Sequence, residues 1–235
     1  MIVCSSIWGN AWERYGKIFV DTYLKYWDSS INFILVTDRQ LLIDGPKQLD
    51  LLSLKEYKEF MQHENTFDLQ KIERKHRWKY DLNKWLPQVI TPKAVISNIA
   101  WELDEILIWL DADVETHSPV NQDWILNIMD GYDIACLQRS DRHTEIGFYA
   151  IRLNNKTINI INELATLYTT FKITKYNEWH SAYTWDIAVA TENVKINNLN
   201  TKDIKNHIFE KTILAEKLIH KKGDRKPGGG LAEYL

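Results

Sequence analysis

The chain has 235 residues, 45% of them hydrophobic and 26% charged, with a formal net charge of -3. That size and apolar content suit one globular α/β domain, and the near-neutral balance gives no general electrostatic reason to bind nucleic acid or an anionic membrane. No apolar run approaches the ~20 residues of a membrane-spanning helix, and the opening Met1-Ile2-Val3-Cys4 lacks the basic flank of a secretory signal, so a soluble, cytoplasmic protein is expected.

The opening run Ile2 to Ile7 reads as a buried strand and is followed by a helix from about Ala11 to Trp27, where Trp12, Tyr15, Phe19, Tyr23 and Tyr26 recur at helical spacing. Phe33 to Asp38 is a short apolar run suited to a strand buried on both faces, so strand, helix and strand together suggest a parallel unit. Helices are predicted over Leu54 to His63 and Phe67 to Leu86, and Pro92 is expected to open a separate helix reaching Trp101. Glu105 to Leu110 is strongly strand-like. Beyond it come a short helix over Asp123 to Met129, strands at Asp133 to Leu137 and Gly147 to Leu153, and a helix over Lys156 to Phe171. A helix over Ser181 to Thr191 and a weaker strand at Val194 to Leu199 complete the alternation. The expected architecture is α/β, a mostly parallel central sheet flanked by helices, with one domain over 1–227 and a flexible glycine-rich tail over 228–235.

Cys4 and Cys136 are the only cysteines, and each lies in an apolar, strand-like run. Two buried thiols in a reducing compartment are expected rather than a disulfide framework or a zinc site. The 10 Trp and 11 Tyr residues are flat, amphipathic rings able to fill a core or to stack on sugars and bases.

The most informative segment is Ile106-Leu107-Ile108-Trp109-Leu110-Asp111-Ala112-Asp113, where a buried strand ends in two carboxylates one residue apart. Ligands of open α/β sheets collect beyond the carboxyl ends of the strands. Adjacent carboxylates repel one another, and a hard cation such as Mn²⁺ or Mg²⁺ neutralises them while bridging to phosphate oxygens. An isolated D-x-D also serves as a turn cap beside a solvated acid. A second segment, His220-Lys221-Lys222-Gly223-Asp224-Arg225-Lys226-Pro227, adds a metal-competent imidazole, a glycine that permits close backbone approach and a lysine suited to a diphosphate.

The strand with its D-x-D and the later H-x-x-G-x-x-K-P segment, in that order, resemble those of the glycogenin and bacterial lipopolysaccharide galactosyltransferase family, the eighth family of glycosyltransferases. The resemblance implies a GT-A fold and a retaining sugar transfer from a nucleotide-sugar, with UDP favoured. It implies Asp111, Asp113 and His220 as ligands of Mn²⁺ or Mg²⁺, and a donor site of Asp111, Ala112, Asp113, Gly223 and Lys226, with Lys226 on the diphosphate. The family's N-x-G segment is matched by Glu145-Ile146-Gly147, without the asparagine, and its D-Q-D element only by Trp185-Asp186, so Glu145 and Asp186 are the catalytic carboxylates to test. The aromatic residue that usually follows K-P is replaced by Gly228. A basic contact to the nucleotide falls among Arg74, Arg77, Lys79 and Lys84. The acceptor is open among glycan, lipid, protein and small molecule.

Two other readings of the same motif are a haloacid-dehalogenase type phosphatase with Asp111 as nucleophile, and a nucleotide- or carbohydrate-binding module without turnover. His117, His143 and His180 have no motif to place them and read as structural histidines. Trp179 and Trp185 read as an acceptor platform or as helix packing.

Overall fold

The computed structural model describes residues 1–62, 73–204 and 208–221. Its centre is a seven-stranded sheet of β1 (Ile2–Ile7), β2 (Asn32–Thr37), β3 (Lys47–Asp50), β4 (Ile106–Leu110), β6 (Ile134–Arg139), β7 (Arg142–Arg152) and β8 (Ile196–Asn198), and the chain also forms a two-stranded ribbon of β5 (Val114–Thr116) and β9 (Leu218–His220). The sheet order is β3-β2-β1-β4-β7-β6-β8, parallel except where β7 pairs antiparallel with β4 and β6. β7 reverses because only Ser140 and Asp141 separate it from β6, and a connection that short can join only antiparallel strands. The α/β expectation with a mostly parallel sheet is met.

The strands read as continuous apolar runs because both faces are covered. Ile2, Cys4, Ile34, Val36, Leu107 and Trp109 point to one core, packed by α2 (Lys55–Met61), α3 (Leu82–Asn98), α5 (Asn155–Thr169) and α6 (Ser181–Val189). Val3, Leu35, Ile106, Ile108 and Phe148 alternate to the other face, under α1 (Lys17–Tyr26) and α4 (Gln122–Ile128). Cys4 and Cys136 are free and buried, and burial pushes both thiols up, Cys136 to about 12.

Several boundaries depart from the sequence reading. Pro92 does not open a helix, because α3 runs through both Pro87 and Pro92. Each proline removes one backbone donor, yet Leu86, Val89, Ile90, Ala94 and Val95 are buried along the same helix, and that packing outweighs the lost bonds. Of the basic segment expected to be helical, Arg74–Lys79 is a 3-10 turn, and 67–72 lies outside the described residues. The expected first helix begins as one wide π turn, Trp12–Gly16, where Gly16 is pressed on Ile7: an added Cβ would lie 2.9 Å from Ile7 Cδ1. β7 starts five residues before the apolar run at Gly147, because its first half carries polar side chains toward a cavity. β3, β5 and β9 are too short to have shown a periodic pattern. No helix among the described residues is long and apolar enough to cross a membrane.

The wholly buried Ile90 reports on the packing that holds α3 straight through its prolines. Ile90→Ala is expected to lower the unfolding free energy by ~2–5 kcal/mol, measured as a shift in the denaturant midpoint with an unchanged slope.

Candidate functional site

β1, β2, β4 and β6 end at the same edge of the sheet, and β7 begins there. Asp111 is the first residue beyond β4, and its N–H donates to the Gly147 carbonyl at 3.0 Å, extending the ladder by one step. Ser5 Oγ donates to the Leu110 carbonyl at 2.7 Å, tying β1 to the same point. The chain then turns, with Val114 N–H on the Asp111 carbonyl at 3.0 Å, and leaves as β5. β5 pairs antiparallel with β9, Val114 opposite His220, and Lys221 N–H donates to the Asp113 carbonyl at 3.0 Å. This ribbon carries His220 to the D-x-D.

The three side chains converge in a buried corner. His220 Nε2 lies 2.9 Å from Asp113 Oδ1 and 3.8 Å from Asp111 Oδ2, and Nδ1 faces Glu145 Oε1 at 3.6 Å. Although Asp113 is close, its carboxylate is out of line, so Nε2 is buried without a hydrogen bond among the described residues. Asp111 is held by its other oxygen: Oδ1 accepts from Trp109 Nε1 at 2.9 Å and from Gln88 Nε2 at 3.1 Å, and Gln88 is itself oriented by Ser181 Oγ at 2.8 Å. Gly147 is the floor. A Cβ there would sit 2.3 Å from His220 Cε1 and 2.5 Å from Nδ1, so the imbricated ring and strand require glycine.

One donor atom from each of Asp111, Asp113 and His220 lies within 4.8 Å of the others. Two carboxylates facing an imidazole nitrogen that lacks a proton partner form a donor set able to hold a divalent cation of the Mn²⁺ or Mg²⁺ class. Glu145 stands behind the imidazole, with Oε1 accepting from Gly147 N–H at 3.2 Å and Oε2 3.9 Å from Arg139 Nη1.

This corner opens into a cavity of about 690 Å³ with an aromatic wall that includes Trp8, Tyr15, Trp78, Trp85 and Trp109. A second cavity of about 650 Å³, beyond the ends of β1 and β2, shares Trp8, Tyr15 and Lys84 with it. At that end Gly9 adopts a positive φ of 59°, and its N–H donates to Asp38 Oδ2 at 2.7 Å, fixing the turn off β1.

The opposite side of the larger cavity holds His143, Glu178 and His180. His180 caps α6: its Nδ1 accepts the Tyr183 N–H at 3.2 Å, while Nε2 lies 2.8 Å from Glu178 Oε2. With Nδ1 accepting, the ring is neutral and Nε2–H is the donor. Burial is the main cause holding His180 below the ordinary value of 6.5; Glu178 pulls it up, and His143 and Lys79 push it down again. Burial raises Glu178, but Lys79 and His180 outweigh it and keep that carboxyl below its ordinary range. His143 Nδ1 lies 2.9 Å from Asp186 Oδ2.

Asp111, Ala112, Asp113, Glu145 and His220 all line one cavity. Asp186 is not among the residues lining that cavity and reaches it through His143. Gly223, Lys226 and the tail lie outside the described residues. Of the four basic candidates, Lys79 and Lys84 line the cavity, and Lys79 is paired with Glu178. Trp179 and Trp185 are buried packing residues, Trp185 lying 4.1 Å from the Tyr149 ring. His143, Glu178 and His180 were missed as a group. The one sequence signal was the pair Glu178 and His180 immediately before a helix, which reads equally well as an N-cap. Compared with known proteins, the chain matches no family model and no curated sequence.

Gly147→Ala is expected to force the His220 ring away and to cost ~1–3 kcal/mol of stability, read by denaturation and by displaced His220 ring signals in NMR; parent-like stability would mean that the ring has room to move. The neutral His180 sets a pH dependence. Above its ordinary value of 6.5 it costs nothing, and stability falls as the pH drops from 6.5 toward the lower folded-state value, because the unfolded state takes up the proton first. His180→Asn retains a capping acceptor and should flatten that slope in thermal melts.

Proposed function

We propose that the chain is a metal-dependent glycosyltransferase that moves a sugar from a nucleotide-sugar, with UDP the favoured nucleotide, to an acceptor hydroxyl. The observation that carries this reading is the buried, unbonded Nε2 of His220 facing two carboxylates at the carboxyl edge of the sheet. Bringing two acids and an imidazole together in a largely buried corner is costly unless their charge is compensated, and a divalent cation would compensate it while supplying a site for a diphosphate. The strand order, with β7 running against a parallel set, is compatible with the GT-A fold that the motifs suggested.

When bound, the cation would stabilise the negative charge that grows on the leaving diphosphate. The chain's own residues then have separate tasks. Gln88 and Trp109 aim Asp111, Gly147 and Glu145 seat His220, and the ribbon of β5 and β9 sets the spacing between them. The paired cavities supply room for a nucleoside beyond β1 and β2 and for a sugar beside the cation, in keeping with ligand placement in open α/β sheets. Lys84 stands where the two cavities meet, and it is the basic residue this reading favours for the nucleotide. A phosphatase would instead need Asp111 as nucleophile through Oδ2, because Oδ1 accepts from two N–H donors.

Calorimetric titration with UDP, GDP and CDP, with and without Mn²⁺, tests the reading. UDP is expected to bind selectively and only with the metal, and Asp113→Ala and His220→Ala should each weaken binding by roughly tenfold or more. Absence of metal-dependent nucleotide binding in the parent protein would remove the transferase reading.

A further inference from the structure

The donor site accounts for one imidazole of the cavity and leaves a second, His143, without a task. His143 lies on β7 two residues before Glu145, and both line the cavity. Its side chain is 36% exposed, far more than that of His220 at 4%, and it lines the same cavity. Asp186, from α6, holds Nδ1 at 2.9 Å, and the Thr144 N–H in turn lies 3.4 and 3.3 Å from the two Asp186 oxygens. A carboxylate accepts at Nδ1, so in the neutral ring the proton sits on Nδ1 and the lone pair on Nε2.

Nε2 makes no hydrogen bond among the described residues; the closest charged group is Glu178 Oε2, at 3.6 Å. Glu178 is engaged on both oxygens, by the Lys79 ammonium and by His180. His180 is engaged on both nitrogens, by Glu178 and by the Tyr183 N–H. A metal ion at this group would have to break those bonds and displace the lysine. A proton needs only the open nitrogen of His143.

We propose that His143 is the general base for transfer and that Asp186 is its positioning residue. The inference rests on the donor reading given above. The acceptor O–H proton passes to His143 Nε2 while the acceptor oxygen forms its bond to the anomeric carbon, a one-step displacement that inverts that centre in place of the retention the motif resemblance implied. The bond from that carbon to the diphosphate oxygen breaks, and its electron pair leaves with the nucleoside diphosphate. The imidazolium then stands between Asp186 and Glu178, with His180, Lys79 and the Tyr183 ring as its other polar neighbours, and returns the proton to water after product release. The acceptor hydroxyl therefore docks on the side of the cavity walled by Trp78 and His180, whose rings are 5.3 Å apart.

Two measurements test this. Nitrogen-15 NMR of the imidazoles should find the His143 proton on Nδ1 at neutral pH and lose that preference in Asp186→Asn; a proton on Nε2, or an imidazolium at neutral pH, overturns the proposal. Release of UDP from UDP-glucose, UDP-galactose and UDP-N-acetylglucosamine in saturating Mn²⁺ should fall by about 10²-fold or more in kcat for His143→Ala and His143→Gln. Their KM and Mn²⁺-dependent UDP binding should be retained, and added imidazole should restore part of the alanine variant's rate. Unchanged kcat, or loss of UDP binding in both variants, overturns the role of His143. Failure of the parent protein to bind UDP with Mn²⁺ counts against the donor reading, and the tautomer then still decides whether His143 offers a base.

Discussion

The His220 imidazole is pressed against Gly147, and this contact organises the carboxyl edge of the sheet. It joins β7, which supplies the glycine, to β9, which supplies the ring, and β9 is anchored through β5 to the end of β4. Any side chain at position 147 would separate them. The D-x-D alone would be two acids on a turn; with the ring seated against the strand it becomes one side of a three-donor corner.

That corner is energetically expensive. Asp113, Glu145 and His220 are all buried, and the desolvation of several ionisable groups is repaid only by close pairing or by a bound charge. The stability that tolerates it comes from elsewhere, from the apolar layers on both faces of the sheet and from α3, whose packing also overrides two internal prolines. The corner is therefore a candidate functional site on a scaffold stabilised independently of it.

Carboxylate and imidazole are paired twice in the cavity, with different outcomes. Glu145 stands behind a buried His220 whose other nitrogen faces two acids, an environment suited to a cation. Asp186 stands behind a half-exposed His143 whose other nitrogen makes no hydrogen bond among the described residues and lies 3.6 Å from Glu178 Oε2, an environment suited to a moving proton. Lys79 and His180 quench Glu178 between them. The same two residue types thus sit in two different environments, set by burial and by what faces the distal nitrogen.

Much of the scaffold was legible in the chain. The runs Ile2 to Ile7 and Ile106 to Leu110 announce strands buried on both faces, because continuous apolar character leaves few other places for a short segment to go. The position of Asp111 and Asp113 at a strand end, and the pairing of that motif with His220, were also readable. Short elements were not: β3, β5 and β9 are held by their partners rather than by a pattern of their own, and α3 by packing against the direction of its local propensity. Glu145 and Asp186 could be singled out as acids but not recognised as supports for histidines, and His143 had no motif at all. Residue order and apolar pattern determine which segments become strands and helices. Which nitrogen is covered, which carboxylate stands behind it and which ring needs a glycine beneath it depend on distances across the fold, and only tertiary packing sets those.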